Sequence, residues 1–161
     1  MKLKKRKINP QYLRSITARD VEDSPIDALD FAISIKEFAD EYLRGLMSAR
    51  IEGTSRGDVH LKLPVVTYLI RILCEIAAEN TMVDVRISMG ERLILRADYE
   101  KLGDVEDVAY MVRVARLAGF EVTRDKNSFA FAADIKITSV MHVYATSMLD
   151  FKNMLITTYK M

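Results

Sequence analysis

The chain has 161 residues, half of them hydrophobic, and it carries 24 Lys and Arg against 23 Asp and Glu. This length predicts one domain with a core large enough to need no metal or disulfide. The charge balance excludes a body dedicated to nucleic-acid binding. The longest uncharged apolar run, Leu63 to Ile70, is far shorter than the roughly 20 residues that span a bilayer. Because Cys74 is the single cysteine, an internal disulfide is excluded, and we expect a buried thiol and a cytoplasmic location.

The positive charge is concentrated at the N-terminus. Residues 1–7 contain five cations, Lys2, Lys4, Lys5, Arg6 and Lys7, so the rest of the chain is net negative. We interpret residues 1–23 as a basic arm and polar lead-in, and residues 24–161 as a single α+β domain. Such an arm is either a solvated terminus or a contact for nucleic acid, an acidic partner or anionic lipid.

The first two helices are predicted from capping and apolar spacing. Ser24 as N-cap and Pro25 in the first turn predict a helix over Pro25–Ile51, apolar on more than one face. Asp58–Leu63 fits a short strand, and Pro64 begins a second helix that continues to Ala77 with the 3.6-residue period. Asn80 is the predicted C-terminal cap of that second helix.

Two hairpins around a third helix form the centre of the chain. Period-two alternation predicts one hairpin over Val83–Tyr99, turning at Gly90-Glu91, and a second over Phe120–Ile137, turning at residues 125–128. Asp104 caps the intervening helix and Gly119 ends it. The helix is predicted to face the sheet through Val105, Val108, Ala109, Val112 and Ala115.

The tail after Ile137 is rich in methionine. Its apolar spacing at Val140, Tyr144, Met148, Phe151 and Leu155 favours a C-terminal helix, although residues 140–144 also fit a strand. The predicted fold is therefore a two-layer α+β sandwich. It has a mixed or antiparallel sheet of four or five strands, about three helices on one face, and a C-terminal helix.

The order of these elements resembles a known family. The matching segments are Gly57-Asp58, the helix Val65–Ala78, the strands Val83–Ile87 and Arg92–Asp98, Met111–Thr123, and Phe129–Ala132. Together they resemble the C-terminal half of the ATP-binding domain shared by sensor histidine kinases, anti-sigma-factor kinases and gyrase, the GHKL superfamily. This resemblance, over residues 57–137, implies that a nucleotide would lie near Asn80, Asp98 and Gly103.

The chain departs from that family where the nucleotide would bind. The family has an asparagine within the helix, a D-x-G after the hairpin and a glycine-rich lid. Here the helix body has no asparagine, Glu100 replaces the glycine of D-x-G, and only Tyr99 to Gly103 separates strand from helix. The six glycines are scattered, so no loop clusters backbone N–H groups for a phosphate. We therefore expect neither a cofactor nor a catalytic residue, and the family's ATP-binding motifs are missing.

Other chemistry is also unsupported by residue spacing. The two histidines and the cysteine do not have the spacing of metal ligands, so no metal site is expected. A phosphate-accepting histidine would belong on an exposed face of the long first helix, which has none, and His60 fits an ordinary strand or loop histidine.

Three functions follow as hypotheses. The first is a non-catalytic regulatory module on a degenerate ATPase-like scaffold, which binds a protein partner or a second copy as a homodimer. Its interaction residues would come from the chain ends: Lys4, Lys5, Arg6, Lys7, Tyr42, Met148 and Phe151. The second is a nucleotide-binding regulatory kinase or phosphotransferase of the histidine-kinase type. The third is a nucleic-acid accessory protein that uses the basic arm.

Overall fold

The computed structural model describes residues 24–137 and 146–160, together with Gln11 and Arg14. The basic arm and residues 138–145 lie outside the described residues. The described elements, in chain order, are β1 (Ser24–Asp27), α1 (Ala28–Tyr42), β2 (Met47–Glu52), β3 (Asp58–Leu61), α2 (Leu63–Glu75), β4 (Val83–Met89), β5 (Arg92–Tyr99), α3 (Val105–Ala118), β6 (Glu121–Asp125), β7 (Ser128–Asp134) and α4 (Met148–Lys160). The α+β class is confirmed.

A five-stranded mixed sheet with the order β2-β4-β5-β7-β6 forms one layer. The two predicted hairpins, β4–β5 and β6–β7, are both present, and they join through the antiparallel pair β5–β7. The edge strand β2 runs parallel to β4. Burial alternates along β2, β4, β5 and β7, so one face of the sheet packs against the helices and the other faces solvent.

The helix predicted over residues 25–51 is present over Ala28–Tyr42, but both of its predicted ends were wrong. Ser24–Asp27 is a strand that pairs with β3 in a separate two-stranded sheet, and the helix begins only at Ala28. The cap is Asp27, whose carboxylate accepts the Asp30 N–H at 3.0 Å, rather than Ser24. The helix ends at Tyr42, and the chain then enters β2. The fifth strand of the main sheet is thus Met47–Glu52, and the predicted strand at residues 58–63 belongs to the small sheet.

Helix α2 is surrounded by other elements. Ten of its thirteen residues are buried, as expected for a helix that is apolar on every side. Helix α4 packs on α1 and α2, where Phe151 stacks on Phe31 with ring centroids 5.2 Å apart. Lys152 of α4 donates hydrogen bonds to Glu41 and Glu37 of α1, both at 3.0 Å, and these bonds raise the pKa of Lys152.

Helix α3 has the predicted ends but a different buried face. Asp104 accepts the Glu106 N–H at 3.0 Å, and Gly119 ends the helix with a φ of 110°. Val105 and Ala109, both predicted to face the sheet, are exposed, and Val105 is 79% exposed. The buried residues are Val108, Tyr110, Met111, Val114, Ala115 and Ala118.

Candidate functional site

The family resemblance implies a nucleotide near Asn80, Asp98 and Gly103. Backbone pairing closes the space between the end of α2 and the β5–α3 connection, here called the cleft. The connection between β5 and α3 lies directly on the end of α2, where Ala77 and Leu102 form an antiparallel bridge. The Gly103 N–H donates to the Ile76 carbonyl at 2.8 Å, and the Ala78 N–H donates to the Lys101 carbonyl at 2.9 Å. A Cβ at Gly103 would lie 3.3 Å from the Ile76 carbonyl oxygen, so the two segments are in close contact.

Tyr99 seals the same region from the sheet side. Its hydroxyl donates to the Leu73 carbonyl of α2 at 2.6 Å, and its ring packs edge-on against Phe129. Burial, with a smaller contribution from Cys74, raises the pKa of the Tyr99 hydroxyl well above its usual value. Tyr99 therefore stays neutral near pH 7 and acts as a structural contact between β5 and α2.

The space between α2 and α3 is filled by side chains. The hydroxyls of Tyr68 and Tyr110 lie 3.2 Å apart, and Arg113 stacks over the Tyr110 ring at 5.2 Å. Arg71 pairs with Glu75 at 3.1 Å, with the two side chains 14% and 6% exposed. Burial is the main reason that the pKa of Tyr110 is raised. This contact between helices is packed and hydrogen-bonded.

The three residues predicted for nucleotide contact do not converge. Gly103 takes part in the bridge to α2, and Asn80 is exposed in a turn with a φ of 64°. Asn80 is not the cap of α2, because the helix ends earlier, with Ile76 at the C-cap. Asp98 lies on the solvent face of the sheet, where it accepts the Ser128 hydroxyl at 2.5 Å. The sheet therefore separates Asp98 from the cleft.

The helix-free face of the sheet is the other candidate site, and it carries charge in rows across the strands. Residues opposite one another in register share a face, which defines two adjacent rows. The acidic row is Ser48, Asp84, Asp98, Ser128 and Asp125. The arginine row is Arg50, Arg86, Arg96, Ala130 and Thr123.

The arginine row is held by long ionic contacts. Arg86 lies 3.8 Å from Glu52 and 3.6 Å from Asp98, while Arg50 lies 3.8 Å from Glu52. These distances exceed those of a hydrogen bond. By contrast, Arg92 on the same face bonds to Glu121 at 2.8 Å and to Asp134 at 2.9 Å. Arg50 and Arg86 therefore keep hydrogen-bonding capacity that Arg92 uses within the chain, while Arg96 donates to the Ser128 hydroxyl at 3.3 Å.

A cavity of about 300 Å³ lies between the two rows. Its lining comes from β2, β4 and β5 and includes Ser48, Arg50, Asp84, Arg86 and Asp98. The Ser48 hydroxyl donates to the Asp84 carboxylate at 2.5 Å, which orients that carboxylate at the rim. Cations and anions line one opening, so it fits a partner that also presents both signs of charge.

The interaction residues predicted at the chain ends have other surroundings. Phe151 is fully buried on Phe31, so it belongs to the core and not to a contact surface. Tyr42 is half-buried, in an aromatic cluster with Phe38 and Tyr159. Met148 is half-buried, and its carbonyl accepts the Ser34 hydroxyl at 3.2 Å. Lys4, Lys5, Arg6 and Lys7 lie outside the described residues.

The remaining reactive side chains are enclosed. Cys74 is buried, as expected. His60 lies half-buried in β3, and its Nε2 is enclosed without a hydrogen-bond partner in the described part of the chain. Among residues 24–137 and 146–160, no three His, Cys, Asp or Glu side chains are grouped to bind a metal, and no helix is long and apolar enough to cross a membrane.

Comparison with known proteins gives a structural similarity only. No protein-family model matches the chain, and no curated protein matches it in sequence. Its fold weakly resembles the cytoplasmic segment of the histidine kinase QseC, with a TM-score of 0.46 and 13% identity over 80% of this chain and 90% of that one. It also resembles the histidine kinase AdeS of Acinetobacter baumannii, with a TM-score of 0.45 and 13% identity over 80% of this chain and 75% of that one.

Both similar structures are histidine kinases by their names, which fits the weak resemblance noted in the sequence. At this identity and TM-score, the similarity concerns the arrangement of the elements and says nothing about activity.

Proposed function

We propose that the protein is a non-catalytic, regulatory protein-interaction module that self-associates. The observation that carries this proposal is the Ala77–Leu102 bridge, which closes the cleft between α2 and the β5–α3 connection. A nucleotide there would have to separate two backbone hydrogen bonds and displace the Tyr99 contact with Leu73. The solvent-facing charges of the sheet remain available for a partner.

The connection between β5 and α3 supports the same proposal. The connection of residues 100–104 between β5 and α3 is too short for a lid over a nucleotide. Its Glu100 places a negative charge where a phosphate would approach, and like charges repel. Both histidine kinases among the similar structures are enzymes by their names; we infer that this chain keeps the arrangement without the reaction.

Thermal unfolding with and without Mg-ATP tests the non-catalytic part. Ligand at 100 times its dissociation constant would add about 2.7 kcal/mol to the free energy of unfolding. We expect no change in Tm at millimolar Mg-ATP or Mg-ADP. A rise of several degrees would instead favour the nucleotide-binding kinase hypothesis.

Sedimentation velocity tests self-association. We expect the sedimentation coefficient of the full chain to rise with protein concentration across the micromolar range. A monomer at every concentration up to about 100 µM, corresponding to a dimer weaker than about −5.5 kcal/mol, would contradict self-association. A gel shift with DNA or RNA that disappears on deleting residues 1–7 would instead support the nucleic-acid hypothesis.

A further inference from the structure

We propose that two copies of the chain associate through the helix-free faces of their five-stranded sheets, with the acidic row of each copy opposite the arginine row of the other. This inference rests on the proposed self-association and names its surface. The central contacts are Asp84 of one copy with Arg86 of the second, and Asp98 with Arg96. Each contact occurs twice, because the two copies are related by a two-fold axis.

The first reason for this pairing is that like charges lie next to each other on adjacent strands. Arg50 is in register with Arg86, and Arg86 is in register with Arg96. Asp84 is likewise in register with Asp98. Like charges directly opposite each other destabilise a sheet. Within one chain this repulsion is offset by ionic contacts of 3.6–4.0 Å to Glu52 and Asp98. The Ser48 and Ser128 hydroxyls also donate hydrogen bonds to Asp84 and Asp98.

The symmetry of the rows is the second reason. A two-fold axis that runs parallel to the rows, between the acidic and the arginine row, turns the second sheet face down and reverses its strand direction. After this rotation each strand lies over the same strand of the second chain, so β4 lies over β4 and β5 over β5. The rotation exchanges the two rows, which brings Asp84 over Arg86 and Asp98 over Arg96. A surface that is complementary to itself in this way can form an isologous interface, in which both copies use the same residues.

The cavity between the rows is the third reason. It lies where the axis passes, and its lining includes both signs of charge, from Arg50 and Arg86 and from Asp84 and Asp98. A simple anion would meet the two aspartates and a simple cation the two arginines, so neither is complementary to the whole opening. A second copy presents a carboxylate and a guanidinium at the matching spacing.

The size of the face sets the expected strength. Five strands about 4.8 Å apart, each with six residues at about 3.4 Å, cover roughly 24 by 20 Å, or about 500 Å² per copy. Stable interfaces bury about 800 Å² per partner. The dimer should therefore be weak, form in the micromolar range, and weaken with added salt because exposed charge pairs are screened.

A charge exchange at positions 84 and 86 tests the pairing. Arg86→Asp places a carboxylate opposite Asp84 of the second copy, and we expect the dissociation constant of the full chain to rise at least about tenfold. The double variant Asp84→Arg with Arg86→Asp exchanges the two charges and should restore the dissociation constant to within about threefold of the original. Exchange within one chain restores both contacts because the interface is symmetric.

Arg92→Asp is the matched control. It makes the same change of net charge on the same face, but Arg92 is bonded to Glu121 and Asp134 outside the two rows. We expect its association to be unchanged. Circular dichroism and thermal unfolding of each variant show that it is folded before association is compared.

The outcomes separate this inference from the function that it rests on. A wild-type chain that is monomeric at all concentrations overturns self-association and this surface together. A wild-type dimer that Arg86→Asp leaves intact overturns the surface alone and keeps the function. If Arg86→Asp loses association and the double variant does not recover it, the proposed two-fold pairing is overturned. If Arg92→Asp loses association equally, net charge explains the loss and the proposed surface is overturned.

Discussion

Ala77 and Leu102 form an antiparallel bridge between the end of α2 and the β5–α3 connection, and this bridge closes the cleft between them. The two flanking hydrogen bonds, Gly103 to Ile76 and Ala78 to Lys101, are 2.8 and 2.9 Å long. Because the connecting segment consists only of residues 100–104, it is too short to move far from the end of α2. The bridge is therefore expected to be a stable part of the fold.

Hydrogen exchange measures that stability directly. The amides of Ala78 and Gly103 donate within the bridge, so we expect them to exchange at least about 100-fold more slowly than free amides. The amides of loop residues 53–56 serve as the comparison. Exchange of Ala78 and Gly103 at the rate of that loop would show a cleft that opens readily and would contradict a closed site.

Replacing Phe151 should destabilise the protein strongly, because its ring is fully buried and stacked on Phe31. We expect Phe151→Ala to lower the free energy of unfolding by about 3–5 kcal/mol. Leu149→Ala, in the same helix at a side chain that is 66% exposed, should change it by less than about 0.5 kcal/mol. Urea unfolding compares the two, and equal small effects would mean that α4 does not pack on α1 as described.

Gly57 is required by both backbone angle and space. Its φ is 133°, and an added Cβ would lie 2.6 Å from the Lys136 carbonyl oxygen. We expect Gly57→Ala to lower the free energy of unfolding by about 2–4 kcal/mol. Gly90→Ala is the control because nothing lies within 4 Å of its added Cβ. If the two variants unfold at the same urea concentration, the contact of residue 57 with residue 136 is absent in solution.

Tyr99 should give the protein a specific pH dependence in the alkaline range. The raised pKa of its buried hydroxyl means that the unfolded chain loses this proton near pH 10, while the folded chain keeps it. The stabilising contribution is thus fully present below about pH 10 and declines above it, by up to about 1.4 kcal/mol per pH unit. Tyr99→Phe should lack this component of the decline.

Chemical unfolding at a series of pH values from 8 to about 11 checks the Tyr99 prediction. At neutral pH, Tyr99→Phe should be about 1 kcal/mol less stable, since the Leu73 carbonyl loses its donor. The difference between the two proteins should shrink as the pH rises above about 10. Stability curves that stay parallel throughout would mean that the Tyr99 hydroxyl ionises equally in the folded and unfolded chains.

The closure of the cleft could be predicted in part from the sequence. Glu100 and the short segment from Tyr99 to Gly103 showed that a lid could not be present. The pairing of Ala77 with Leu102 was not visible, because a two-residue bridge between a helix end and a loop has no periodic pattern. The rows on the sheet were also hidden, since they depend on the register of five strands.

Residues 25–51 show why the first helix was predicted too long. The spacing of Leu29, Ile33 and Phe38 fits a helix, and the spacing continues through Leu46 and Met47. Met47, Ala49 and Ile51 also alternate with Ser48, Arg50 and Glu52, which is the pattern of a strand. Local spacing did not distinguish the two, and the outcome depended on β2 pairing with β4 about 36 residues away in sequence.

The sequence by itself determined the elements whose signals are local. The hairpins β4–β5 and β6–β7 follow from period-two alternation with short turns, and α3 follows from its cap at Asp104 and its stop at Gly119. Only the tertiary structure decided the placement of β2 and the closure of the cleft. Those features depend on contacts between distant segments, whose free energy is set by packing and register rather than by the preferences of neighbouring residues.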